Sequence, residues 1–301
     1  MSISIFGFQA LWSPYFFFFV SVITAVYFLL IGPFRNRFKN SEPATLKQKL
    51  LFLISMILLY LFKGGPLDLL GHLMFSAHMT QMAVVYLVIP PLLILGTPAW
   101  LLRLVVNQPI IRPLMKFFTK PLIAIFVFNG LFSLYHMPLI FDVVKTDMFL
   151  HALTTIVIFL AAFIMWWPLV NPLEEWQTLS GIKKIGYIFA NGILLTPACA
   201  LIIFAETPLY ATYTDPQAWA NALQLCVPAG TLSSLDLIGP QMFNSMPLLE
   251  DQRTGGVIMK IIQEIVYGAI LSYVFFQWVR KEREQDELEE KALLLNPYPS
   301  E

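Results

Sequence analysis

The sequence predicts an all-α polytopic membrane protein, a seven-transmembrane helix bundle with an extracellular loop cap. Three observations carry that expectation. Of the 301 residues, 57% are hydrophobic and only 13% are charged, against about 25% charged in an ordinary soluble domain. Seven apolar segments come close to the roughly 20 residues that a helix needs to cross a hydrocarbon core of about 30 Å. The cationic residues then divide unevenly among the connections.

The segments run over residues 12–32, 47–63, 67–95, 121–141, 148–170, 185–206 and 256–280. The second is short and stops at Lys63-Gly64-Gly65-Pro66. The third is overlong, and Pro90-Pro91 is expected to end or kink it, because proline removes a donor and clashes with the preceding turn. With the N-terminus outside, fifteen of the 19 Lys and Arg fall on the inner side, from Arg35 to Lys291, and Lys63, Lys145, Arg253 and Lys260 fall outside. The positive-inside rule therefore places the N-terminus outside and the C-terminus in the cytoplasm, with an odd number of spans. The first Lys or Arg, Arg35, follows the first apolar segment, so no signal peptide is expected.

Residues 1–280 are expected to form the membrane domain and 281–301 a cytoplasmic tail, whose string RKEREQDELEEK from Arg280 continues the last span as a charged helix. Residues 207–255 form the external cap. Its Pro208, Pro216, Pro228, Pro240 and Pro247 exclude another span, and Tyr210, Tyr213, Trp219, Leu223, Leu225, Phe243 and Leu248 supply apolar side chains for packing. Asp215, Asp236, Glu250 and Asp251 face Arg253 alone, a balance that either attracts cations or a basic partner or belongs to a solvated lid.

The chemistry concentrates at one end of the bundle. From a rise of 1.5 Å per residue, His72 lies about 5 Å and His78 about 13 Å below the outer surface. His136 comes near the end of the fourth span and His151 opens the fifth, so all four histidines share the outer half. Met74, His78 and Met82 are spaced four and four, one stripe of a helix. His72 and Met79 form a second stripe, turned about 120° from the first. Met137 and Met148 flank His136 and His151. Imidazole with thioether suits copper, above all Cu(I), where a carboxylate-rich site suits Mg, Ca or Mn. Hydrogen bonding between helices and core filling are the structural alternatives for the same residues. Asp142 and Asp147 are either acceptors for imidazole N–H groups or solvated loop residues.

Other chemistries find little support. A formal net charge of zero gives no reason to expect nucleic acid, and neither GxGxxG, a Walker loop nor GxSxG occurs. Lys260 lies too near the start of the last span for a retinal Schiff base. Glu264 is either a proton or cation waypoint or a partner for a group such as Asn191. Cys199 and Cys226 are open to a disulfide, a copper thiolate or an inert pair of thiols. A haem-binding electron carrier, with His78 opposite His136 or His151, leaves the methionines unexplained. A copper permease lacks a polar ladder beyond Met56, Met165 and Asn191.

The strings HLMFSAHMTQM followed by IPPLLILGTP, YHMPLIFD followed by His151 and FIMWWPL, and LLEDQRTGGVIM before the final span resemble the CtaG-type cytochrome c oxidase assembly factors of Gram-positive bacteria. The resemblance extends from FGFQALWSPYFF to FFQWVRKE. It implies a seven-span plasma-membrane protein that is not itself an enzyme and that helps build a haem–copper oxidase by supplying copper. The implied partners are oxidase subunits, a soluble extracellular copper carrier and membrane lipid. The resemblance also implies metal contact at His72, His78, His136 and His151. Two departures stand out. Met82 and Thr155 occupy positions where the family often has histidine, which favours a leaner, thioether-rich Cu(I) site with Met74, Met79, Met82 and Met137 as candidate ligands, or else a metal-free scaffold.

Overall fold

The computed structural model describes residues 2–235 and 237–295, and every regular element among them is helical. Asp236 of the cap and the end of the tail, 296–301, lie outside the described residues. A 3-10 turn at Ile3–Phe6 leads into α1 (Gly7–Trp12) and α2 (Pro14–Ile31), which Pro14 opens at the position where a missing N–H costs no helical bond. Thr45 and Gln48 start α3 (Leu46–Lys63) with a reciprocal capping box. At Gly64-Gly65-Pro66 the chain turns by 42° into α4 (Pro66–Leu73).

The third apolar segment continues as α5 (Phe75–Ala83), a π turn (Val84–Val88) and α6 (Ile89–Gly96). Pro90-Pro91 therefore does not end this segment. Two prolines deprive the carbonyls of Tyr86 and Leu87 of their usual i+4 donors. The π turn forms just before them, and the Tyr86 carbonyl accepts instead from the Trp166 indole at 3.2 Å. Then come α7 (Ala99–Val106), α8 (Ile111–Phe118) and, after a bend of 85°, α9 (Pro121–Tyr135). The short α10 (Pro138–Thr146) precedes α11 (Met148–Val170) and α12 (Gly181–Ile203). In the cap, α13 (Pro216–Leu223) and α14 (Ala229–Ser233) precede α15 (Leu248–Leu295).

Among the described residues, five segments are long and apolar enough to cross a bilayer: Ile3–Ile31, Phe75–Gly96, Met148–Val170, Gly181–Ile203 and Leu248–Leu288. Counting α3 with α4, and α8 with α9, as one bent span each makes seven. The all-α, polytopic class expected from the sequence is what the chain adopts. Tyr15, Phe18, Leu122, Phe189 and Ile193 point away from the bundle, an apolar exterior suited to lipid rather than water.

The main core runs between α5, α6, α9, α11, α12 and α15, around Phe128, Phe132, Trp166 and Trp167. The cap closes one end. Trp219, Leu223 and Val227 bury themselves with Phe6 and Ala10 from the N-terminus and Leu69 and Leu73 from α4, so the cap is a packed element rather than a solvated lid. Tyr210 and Tyr213 reach past that small core into the main one.

Candidate metal centre

The third segment is not one continuous helix at its capped end. Met74 is extended, at φ −136° and ψ 137°, closing α4 and opening α5. The cause lies on α15, where Asp251 accepts the Phe75 N–H at 2.7 Å, the Ser76 N–H at 3.3 Å and the Ser76 hydroxyl. A carboxylate from a distant helix thus satisfies donors that a helix start leaves free. The angle of about 120° between the His72 and His78 stripes assumed unbroken geometry. With the break at Met74, both histidines serve one buried region.

The structure gathers the four histidines in two pairs. The rings of His72 and His151 have centroids 5.6 Å apart, and those of His78 and His136 are 6.2 Å apart. His72 Nδ1 lies 3.0 Å from the Asp68 carbonyl and His136 Nδ1 lies 2.8 Å from the Phe132 carbonyl. A carbonyl oxygen only accepts, so each Nδ1 donates and the lone pair of the neutral ring sits on Nε2. Those two Nε2 atoms, both nitrogens of His78 and Nδ1 of His151 are buried without a hydrogen-bond partner among the described residues. A buried polar atom left unpaired costs about 1–3 kcal/mol, and because a neutral imidazole keeps one N–H, these five atoms on four rings offer at most four lone pairs, one per ring, to an acceptor of electron pairs. Phe75, Tyr135, Phe141 and Tyr213 wall His78 in with their rings.

The methionines divide. Met82 lines a small cavity, about 10 Å³ in volume, with His78, His151, Thr155, Lys63, Gln81, Val85 and Tyr86. Met82 and Thr155, the two positions where the resemblance implies histidine, therefore meet there. Met79 is buried toward α15, where a Cβ added at Gly255 would lie 3.1 Å from its Cγ. Met74 packs against the cap core, while Met137 and Met148 are exposed. Among the described residues, no three His, Cys, Asp or Glu side chains converge closely enough to hold one ion. What the arrangement offers is paired imidazoles with one thioether at hand.

Neither loop carboxylate touches an imidazole. Asp142 accepts the N–H groups of Ala211 and Thr212, each at 3.0 Å, and the Thr212 hydroxyl, which ties the cap down. Asp147 caps α11 by accepting the Leu150 N–H. Glu264 pairs with Lys260 on the exposed side of α15, and Asn191 instead bonds Asn129 and Tyr267. Cys199 and Cys226 are free thiols.

Three groups at the centre carry no signal in spacing or composition. Asp251 is one. The second is the chain Lys63–Asp68–Gln81, in which Asp68 accepts from Lys63 at 3.1 Å and from Gln81 at 2.7 Å beneath His72. The third is Lys145 on α10, fully buried, with Nζ 3.4 Å from the Gly71 carbonyl and 5.7 Å from the centre of the Tyr213 ring. Burial pushes this amine down to about 7, and Lys63 acts in the same direction.

A polytopic helical bundle that gathers four imidazoles and a thioether beneath a packed cap at one end is a membrane protein with a histidine cluster at that end. The family described as cytochrome c oxidase caa3 assembly factor matches residues 25–281, and the chain belongs to it. No curated protein and no solved structure matches the chain.

Proposed function

We propose that the chain serves cytochrome c oxidase assembly by holding Cu(I) as cargo at the histidine cluster and passing it on at the outer side of the plasma membrane. The observation that carries this reading is the set of five partnerless imidazole nitrogens in two facing pairs. With metal–nitrogen bonds of about 2 Å, two imidazoles that share an ion place their ring centres on the order of 6 Å apart. Met82 beside His78 and His151 adds a soft ligand, the type that selects Cu(I). The carbonyl partners of His72 and His136 fix which nitrogen is presented, as second-shell partners do in metal sites.

A site of two imidazoles and a thioether leaves a coordination position open. An incoming ligand from an oxidase subunit or a soluble copper carrier can add before an old one leaves, so transfer needs no bare ion. The protein's role is then to bind, shield and release, not to catalyse. A porphyrin needs a slot of several hundred Å³, against about 10 Å³ beside His78, which disfavours the haem alternative.

The test is anaerobic Cu(I) loading of the purified chain, followed by copper content and X-ray absorption. About one copper per chain is expected, with nitrogen and sulfur neighbours. His78→Ala and Met82→Ala should each lower retention by about tenfold, a loss of about 1.4 kcal/mol. Oxidase activity in cells carrying Ala at each histidine is the second measurement. Absence of copper after loading, or full oxidase activity in all four variants, defeats the reading.

A further inference from the structure

At the end away from the cap, a cleft of about 730 Å³ opens between α11, the start of α12 and the lower part of α15. Its lining includes Lys184, which is only 9% exposed, and Lys281, whose like charge acts on it. Among the described residues Lys184 has no ion pair and its amine no hydrogen bond. Its stem is packed while its amine, which is not among the enclosed unpaired atoms, opens onto the cleft without an anionic partner.

A second feature points the same way. The 23-residue α12 begins at Gly181 in this cleft, and its N-cap, Ser180, makes no capping bond with its side chain. The first N–H groups of a long helix therefore face the space that Lys184 faces, a combination suited to an anion. Gly181 permits the close seat of Trp278, since a Cβ there would lie 2.4 Å from the indole. Trp278 and Tyr273 give the cleft an aromatic rim, with Lys47 poised 5.8 Å from the Tyr273 ring centre. Arg280 also lines it. Glu174, Glu282 and Glu284 lie on the rim, all exposed, and Glu282 is engaged by the Trp278 indole at 2.8 Å.

We propose that this cleft binds the phosphate group of an anionic phospholipid, held by Lys184, Lys281 and the uncapped start of α12. Tryptophan and tyrosine beside cations at the end of membrane helices mark the headgroup level of a bilayer, which is where such a phosphate is supplied. The inference is independent of the copper reading, because the histidines lie at the opposite end.

Native mass spectrometry of the full chain in neutral detergent tests it, with phosphatidylglycerol, phosphatidylcholine of matched acyl chains, or inorganic phosphate added. The wild type should retain phosphatidylglycerol about tenfold better than phosphatidylcholine. Lys184→Gln and Lys281→Gln should each abolish that preference, and the exposed Lys281 guards against a folding defect at Lys184. Equal retention of the two lipids, or a preference that survives both substitutions, overturns the proposal. Inorganic phosphate retained as well as phosphatidylglycerol, and lost in the same variants, also overturns it by assigning the cleft to a free anion.

Discussion

Asp251 starts a helix that lies 176 positions away in sequence, accepting the Phe75 and Ser76 N–H groups. Replacing it with alanine removes a cap worth about 0.5–2 kcal/mol and strands buried donors at about 1–3 kcal/mol each. Asp251→Ala should lower the thermal midpoint in detergent by several degrees, whereas Asp251→Asn, which keeps an acceptor oxygen, should lower it less. Equal midpoints for wild type and Asp251→Ala would remove this account of the break at Met74. Lys145 supplies a pH dependence. Its folded-state pKa is depressed to about 7, chiefly by burial and then by Lys63, against opposing effects of Asp68 and Cys226. Between about pH 7 and the ordinary lysine range the unfolded chain binds a proton that the folded chain does not, so stability rises with pH across that window. A thermal-midpoint profile from pH 7 to 9 should climb in the wild type and flatten in Lys145→Met.

At the scale of elements, apolar length and proline placement made the bundle legible before any coordinates. Every expected segment is helical, but the bounds shift: α4, expected to open the third segment, joins α3 as one bent span in the count of seven, and α8, expected in an inner loop, joins α9. The internal form of the third segment was not legible, for a physical reason: its break is imposed by a carboxylate on α15, and no Gly or Pro occupies residue 74. Residues Leu248 to Gly255, read as cap loop, belong to α15 because that loop sequence has tertiary work on three sides. Gln252 accepts the Leu209 N–H and donates to the Ile202 carbonyl, while Arg253 donates to Ala205. Gly255 and Gly256 bring α15 against α5 and α12. A Cβ at Gly255 would lie 3.1 Å from the Ser76 α-carbon and 2.9 Å from the Phe75 ring. Gly255→Val should therefore destabilise by about 1–3 kcal/mol and shift α5, lowering copper retention together with the thermal midpoint. Unchanged retention at a lowered midpoint would mean that α5 holds its register without this contact.

Over the whole molecule, the histidines were legible as residues sharing one end, but their pairing was not, because it needs α4, α5, α9 and α11 to converge beneath the cap. That cap is fastened to the backbone of the site itself. The Tyr213 hydroxyl donates to the Gly71 carbonyl next to His72, and the Tyr210 hydroxyl donates to the His136 carbonyl at 2.8 Å. The Asp142 carboxylate gathers the first two N–H groups of the turn just after Tyr210. The cap is therefore tied to the backbone beside two of the imidazoles, and opening the cap should open the site. Asp142→Ala removes the anchor without touching a histidine. Modification of His72 and His78 by diethylpyrocarbonate, read by mass spectrometry, should be slow in the wild type and on the order of tenfold faster in this variant, the effect of about 1.4 kcal/mol on a local opening equilibrium. Copper loading should accelerate with it, since the same opening admits the ion. Faster modification with an unchanged loading rate would place the ion's path elsewhere, between α4 and α11 where His72 meets His151.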